Sequence, residues 1–303
     1  MGDVPYNWTL PVARKVKDAV SIPVATVGRV VSVEAGEKIL NDGDADIIGY
    51  GRSLLTDPDI ALKVQRGECI RECLNCNKGC VDAIQNRKYI SCVLNAENGN
   101  EATMSIKKTA APKNVVVIGG GIAGLEAARV AAVKGHTVTL FEKADHLGGQ
   151  INIASVPPRK NEILRSIEYY EKILPTLNVD IHLNEEVKDI NDYDYALLAI
   201  GAHNMEMPIP HKESNIVSSW DVLNGQEVQG ACVVIGGGLV GAETAEYLAN
   251  KGHQVTIVEM MDKIAAGEST TVLPLMMKDF ESHGVKQYVN TKVDHIENNI
   301  VYT

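Results

Sequence analysis

Five of the six cysteines, Cys69, Cys73, Cys76, Cys80 and Cys92, fall within 24 residues, and Cys232 stands alone. Thiolates bind soft metals and iron–sulfur clusters, so such a grouping in a chain with no secretory signal reads as metal or redox chemistry rather than a disulfide framework. The run Cys73-Leu-Asn-Cys76-Asn-Lys-Gly-Cys80, then eleven residues to Cys92, places three thiols on one loop. Three can ligate corners of a cuboidal cluster while the fourth closes it. Structural zinc more often uses two separated Cys-x-x-Cys knuckles, of which one is present. Zinc, and a nucleophilic or disulfide Cys73/Cys76 pair, stay open as alternatives. Cys232 sits in an apolar run, where a free cysteine behaves as a small hydrophobe.

A second chemistry is written twice. Gly119-Gly-Gly-Ile-Ala-Gly124 through Glu142 aligns without a gap to Gly236-Gly-Gly-Leu-Val-Gly241 through Glu259, at an offset of 117. The shared positions include Glu126/Glu243, Ala128/Ala245 and Lys134-Gly-His136/Lys251-Gly-His253. In a glycine fingerprint the first glycine permits the strand-to-helix turn, the second admits a pyrophosphate to the backbone, and the third lets helix and strand pack closely. The helix N-terminus then faces the phosphates with unpaired N–H groups and the positive end of its dipole. Glu142 and Glu259 end the second strands, where a carboxylate accepts hydrogen bonds from a ribose diol. Met260 and Met261 follow Glu259, and with no basic residue there the carboxylate repels a 2′-phosphate, which favours NADH over NADPH. His136 and His253 read as turn residues.

These residues require two β-α-β units. Val115-Val-Val-Ile118 and Cys232-Val-Val-Ile235 read as buried parallel strands, each followed by an alanine-rich helix and a second strand, Val138-Thr-Leu-Phe141 or Val255-Thr-Ile-Val258. Tyr193-Asp-Tyr-Ala-Leu-Leu-Ala-Ile-Gly201-Ala202 reads as a further apolar strand ending in a glycine turn. Ahead of the cysteines, Ile22 to Val27 and Asp44 to Ile48 read as short strands, with helices over Val33 to Leu40 and Pro58 to Arg66. The net charge of −10 opposes a nucleic-acid or anionic-membrane role, and 45% hydrophobic with 22% charged residues excludes disorder, collagen and coiled coil. No window approaches the roughly 18 apolar residues of a membrane span, and Met1-Gly2-Asp3-Val4-Pro5-Tyr6 lacks the regions of a signal peptide, so a cytoplasmic location is expected.

The order of glycine fingerprint, Gly148-Gly149-Gln150, Ala199-Ile-Gly201-Ala202 and second fingerprint resembles the two-dinucleotide-binding flavoproteins. The cysteine segment narrows this: it resembles the [4Fe–4S] loop of multidomain NADH:flavin oxidoreductases related to 2,4-dienoyl-CoA reductase, enoate reductases and trimethylamine dehydrogenase. The resemblance implies an α/β chain with the last two β/α units of a TIM barrel of the Old Yellow Enzyme type over residues 1–68. A cluster loop and linker over 69–112, an incomplete FAD domain over 113–212 and a truncated NAD(H) domain over 213–303 follow. It implies FMN at Gly28, Arg29, Gly51 and Arg52, the cluster on Cys73, Cys76, Cys80 and Cys92, and NADH at Gly236, Gly238, Gly241 and Glu259. FAD is implied at Gly119, Gly121, Ala123, Gly124, Glu142, Gly149, Gln150 and Gly201. Cys69 lies outside the family pattern and reads as a spare thiol.

The implied relay runs from NADH through FAD, the cluster and FMN to an activated C=C bond of an enoate or a 2-enoyl or 2,4-dienoyl thioester, with no catalytic acid or base identified. An amine dehydrogenase is the nearest rival, which the intact second fingerprint disfavours. An electron-transfer subunit and an inactive remnant are the others. An eight-stranded barrel needs about 200 residues or more, and some 68 precede the cluster. The chain is therefore expected to be a fragment whose first 68 residues pack poorly alone or need a homo-oligomer or partner chain.

Overall fold

The computed structural model describes residues 7–205 and 207–303. The signal-peptide reading of Met1 to Tyr6 lies outside them. In chain order the elements are α1 (Leu10–Ala19), β1 (Ala25–Val27), α2 (Val33–Asn41), β2 (Ile47–Gly49), α3 (Arg52–Thr56), α4 (Ile60–Arg66), α5 (Val81–Gln85) and α6 (Glu101–Met104). Then come β3 (Asn114–Ile118), α7 (Ile122–Lys134), β4 (Thr137–Glu142), α8 (Gln150–Ala154), α9 (Arg165–Thr176), β5 (Asp180–Leu183) and β6 (Tyr195–Leu198). The last group is β7 (His211–Lys212), α10 (Ser219–Leu223), β8 (Cys232–Ile235), α11 (Leu239–Asn250), β9 (Val255–Val258), α12 (Leu273–Ser282), β10 (Lys286–Tyr288), β11 (His295–Glu297) and β12 (Ile300–Tyr302). Two compact units form, one from the chain through Ile151 with Glu162–Gly201, the other from Asn152–Asn161 with Ala202–Thr303.

In the first unit β1 and β2 pair in parallel over a small core of Val30, Ile39 and Ala45. Both strands are shorter than the sequence suggests. The Asp46 carboxylate accepts the Val24 amide at 2.9 Å, so a side chain takes the place of a ladder bond there. Helix α1, which the sequence reading did not anticipate, is tied on by Arg14 to Asp44 and by Lys17 to Asp46. Val27 and Ile47 are more than half exposed, leaving one face of the pair uncovered. The main sheet is parallel, in the order β5-β4-β3-β6. Val116 and Val117 of β3 are fully buried, and Val117 shares a core with Leu125 and Ala128 of α7 and with Tyr170 and Leu174 of α9. Each such large side chain contributes about 1.5–3 kcal/mol by leaving water.

The second unit repeats this plan with β10-β9-β8, all parallel, covered by Ala242, Ala245 and Leu248 of α11 and by Met276 and Phe280 of α12. The repeat holds to the register: Val115 faces Val138, and Cys232 faces Val255. One expectation is corrected. β8 is not a buried strand, for Val233 is 45% exposed and Cys232 half-buried. The cause is position: β3 lies between two strands, whereas β8 is the edge of its sheet. β6 is likewise an edge, and all four of its residues are exposed. A small sheet, β12-β11-β7, completes this unit, with His295 stacked on Tyr302. Among the described residues no helix is long and apolar enough to cross a membrane.

Candidate functional site

The two glycine turns have the same construction. Gly119 and Gly236 both take positive φ, +107° and +92°, which side-chain-bearing residues rarely adopt. A Cβ on Gly124 would lie 1.8 Å from the Gly119 carbonyl oxygen, and one on Gly241 1.9 Å from that of Gly236, so only glycine lets each helix approach its strand. Gly121 and Gly238 cap α7 and α11 without any side-chain bond to the first turn. A Cβ at either would meet nothing within 4 Å, so the backbone there is open to an incoming group.

The acidic residues lock these turns. The Gly120 amide donates to Glu142 Oε2 at 2.6 Å and the Ala144 amide to Oε1 at 2.8 Å. The Gly237 amide donates to Glu259 Oε2 at 2.6 Å and the Met261 amide to Oε1 at 2.7 Å. Both carboxylates are buried, and each keeps lone pairs beyond these bonds for a diol. No basic side chain is paired with Glu259 among the described residues. Gly149 and Gln150 lie beside the first turn. A Cβ on Gly149 would lie 3.2 Å from the Gly121 Cα, and one on Gly201 would lie 3.4 Å from Gln150 Nε2. Ala123 is the second residue of α7.

The repeat runs further than the sequence comparison traced. Leu147 and Ile264, also 117 apart, cover Gly120 and Gly237, each within 3 Å of the Cβ that the glycine lacks. Gly148 and Ala265 both have positive φ and both donate their amide to the middle glycine's carbonyl, at 2.9 and 2.7 Å. Identity is lost here while backbone geometry persists; Asp145/Asp262 is the signal that could have extended the alignment. His136 and His253 are turn residues, their Nδ1 atoms 3.2 Å from the backbone of Lys113 and Gly230.

Cys73, Cys76, Cys80 and Cys92 converge on one cavity that Arg52, Thr56, Asn77 and Gly79 also line. The loop closes because Gly79 abuts Ser91: the Ser91 amide donates to the Gly79 carbonyl at 2.7 Å, and a Cβ on Gly79 would lie 2.5 Å from the Ser91 oxygen. All six thiols are free. Burial pushes the Cys73 and Cys76 thiols up, which makes them poor nucleophiles unless a metal takes the charge. Among the described residues no group of three or more His, Cys, Asp or Glu side chains is arranged to hold a metal ion. Cys69 packs instead against the core of the main sheet, its thiol also raised by burial.

The two arginines ahead of the loop have partners. Arg29, at φ +55°, forms a buried ion pair with Glu162, both side chains under 10% exposed. Arg52 donates to the Asn77 side-chain oxygen within the cysteine loop. Gly28 has φ +145° and packs on Thr9, whereas Gly51 has open space where a Cβ would stand. In the second unit, Arg159 bonds Glu246 and, at 2.7 Å, Asp279, while Lys160 bonds Glu243 at 2.6 Å. Burial raises the Glu246 carboxyl to about 7, while the Arg159 guanidinium, helped by a hydrogen bond from Glu246, holds the Asp279 carboxyl low.

Residues 113–302 match the family described as pyridine nucleotide-disulphide oxidoreductase, and residues 6–69 match the NADH:flavin oxidoreductase / NADH oxidase family. A bilirubin reductase of Mediterraneibacter gnavus (strain CC55_001C) is 51% identical over 99% of this chain and 48% of its own length. A cinnamate reductase of Clostridium sporogenes is 39% identical over 86% of this chain and 39% of its own length. Among solved structures, a 2-naphthoyl-CoA reductase in complex with 2-naphthoyl-CoA superposes with a TM-score of 0.87 at 27% identity, covering 99% of this chain and 46% of that one. The chain thus spans about half the length, or less, of these relatives.

Proposed function

From the premise that the chain belongs to the pyridine nucleotide-disulphide oxidoreductase family and carries a segment of the NADH:flavin oxidoreductases, we propose that it serves an NADH-dependent flavin and iron–sulfur oxidoreductase that reduces an activated C=C bond of an enoate or enoyl thioester. The observation that carries this reading is the convergence of Cys73, Cys76, Cys80 and Cys92 on a single cavity, in a chain that also builds the dinucleotide turn twice. Three thiols within eight residues and a fourth lining the same cavity suit a cuboidal cluster better than zinc, which more often uses two separated Cys-x-x-Cys knuckles. The acceptor class is supported by the relatives: cinnamate and a naphthoyl thioester both carry an acyl carbonyl conjugated to carbon–carbon unsaturation.

When bound, nicotinamide and flavin supply hydride chemistry and the cluster supplies one-electron chemistry. The chain's own residues do the placing. Gly119, Gly121, Ala123 and Gly124 open the first helix terminus to a pyrophosphate, and Glu142 faces its ribose, with Gly149, Gln150 and Gly201 alongside. Gly236, Gly238, Gly241 and Glu259 do the same for NADH, where the Glu259 charge excludes the 2′-phosphate of NADPH. For an FMN phosphate the open Gly51 backbone and Arg52 fit; Arg29 fits less well, since Glu162 already holds its guanidinium.

The flavin-loaded chain should oxidise NADH with dichlorophenolindophenol as acceptor and use NADPH at least tenfold less well. No NADH oxidation by the loaded chain contradicts the reading. The acceptor class is tested in anaerobic extracts, where disrupting the gene for this chain should abolish NADH-dependent hydrogenation of its enoate; unchanged activity toward cinnamate and enoyl thioesters alike counts against it.

A further inference from the structure

Thr56 has no part in the reading above. It ends α3, the five-residue helix that begins with Arg52 and is preceded by Gly51. It is 3% exposed, and it lines the cysteine cavity. Its Oγ1 lies 3.6 Å from Cys92 Sγ. Oγ1 also donates to the Arg52 carbonyl oxygen, at 3.1 Å.

A hydroxyl carries one proton and two lone pairs. While Cys92 is a thiol, its S–H group can donate to Oγ1, and the hydroxyl proton goes to the Arg52 carbonyl. Deprotonated sulfur can only accept, so once Cys92 ligates a metal the hydroxyl proton turns toward its sulfur. The Asn75 amide points in the same way at Cys73 Sγ, 3.4 Å away. Hydrogen bonds donated to ligand sulfurs are among the factors that set an iron–sulfur potential: they draw negative charge off the cluster and favour its reduced form.

We propose that Thr56 is a positioning residue whose hydroxyl donates to the Cys92 sulfur and thereby raises the reduction potential of the cluster. This rests on the cluster reading given above. It also ties the potential to the Gly51-Arg52 turn, because the same short helix carries both and the hydroxyl exchanges partners with the Arg52 carbonyl.

The test uses the 303-residue chain reconstituted with iron and sulfide, as wild type, Thr56→Val and Thr56→Ser. Iron content and the midpoint potential from an EPR-monitored redox titration are read for each. Valine keeps the shape without the proton and should leave iron content at the wild-type level while shifting the midpoint to a more negative value. Serine keeps the proton and should restore the wild-type midpoint. An unshifted midpoint in Thr56→Val overturns the proposal, as does an equal shift in Thr56→Ser. Loss of iron in Thr56→Val, with or without loss in Thr56→Ser, also overturns it by making the hydroxyl a scaffold for the ligands. A wild-type chain that takes up no iron fails the cluster reading itself, a result distinct from these.

Discussion

Glu259 accepts the amide of Gly237 at 2.6 Å, and the same bond at the same length joins Glu142 to Gly120 in the earlier copy of the repeat. The carboxylate proposed to face a ribose is thus also the clasp of the glycine turn. Glu259→Gln keeps an acceptor for Gly237 but removes the charge that repels a 2′-phosphate. NADH affinity is expected to fall about tenfold, as for loss of one charge-assisted hydrogen bond, and the preference for NADH over NADPH to shrink by a similar factor. Titration of both nucleotides checks this; an unchanged preference would remove Glu259 from the specificity argument.

The glycines of each fingerprint should separate by variant. Gly124→Ala and Gly241→Ala place a methyl within 2 Å of a carbonyl oxygen, so they should destabilise the fold by about 1–3 kcal/mol, read as a lower urea midpoint. Gly121→Ala and Gly238→Ala meet no protein atom within 4 Å and should unfold like the wild type while losing dinucleotide affinity. Equal loss of stability at all four positions would mean that the turns are structural only.

Arg29 distinguishes a structural from a ligand-binding role. Its pair with Glu162 is buried on both sides, and removing one partner of such a pair costs about 3–5 kcal/mol. Arg29→Ala should therefore lower the urea midpoint of the chain even without flavin. A residue that only held a phosphate would leave the flavin-free chain unchanged.

Glu246 gives the second unit a pH signature. In the unfolded chain a glutamate titrates near 4.5, whereas burial raises folded Glu246 to about 7. Below 4.5 both states hold the proton. Between 4.5 and 7 only the unfolded state releases it, so stability falls across that window by on the order of 3 kcal/mol and is flat above it. Glu246→Gln should abolish that fall, while the loss on acidification owed to the lowered Asp279 carboxyl persists. A wild-type stability that instead rises from pH 4.5 to 7 more steeply than that of Glu246→Gln rejects this account.

The parts of the site carried by local pattern were legible in the sequence. The fingerprint turns, Glu142 and Glu259 and the spacing of four cysteines all depend on residues within one β-α-β unit or one loop. What sequence hid depends on distance or on geometry without identity. Arg29 meets Glu162 across 133 residues, and Thr56 meets Cys92 across 36. Leu147 and Ile264 share a task but not a side chain, and Gly148 and Ala265 share a positive φ that sequence does not assign to alanine. β8 looked buried because its apolar run matches β3, yet burial is set by neighbours, and an edge strand has one fewer.

The most direct measurement of the central claim is the absorbance spectrum of the chain purified without air, with its iron and acid-labile sulfide content, before and after NADH. The account predicts iron and sulfide in equal amounts, flavin bands in the resting spectrum, and bleaching of those bands by NADH. A colourless chain containing zinc would contradict both the flavin and the cluster assignments.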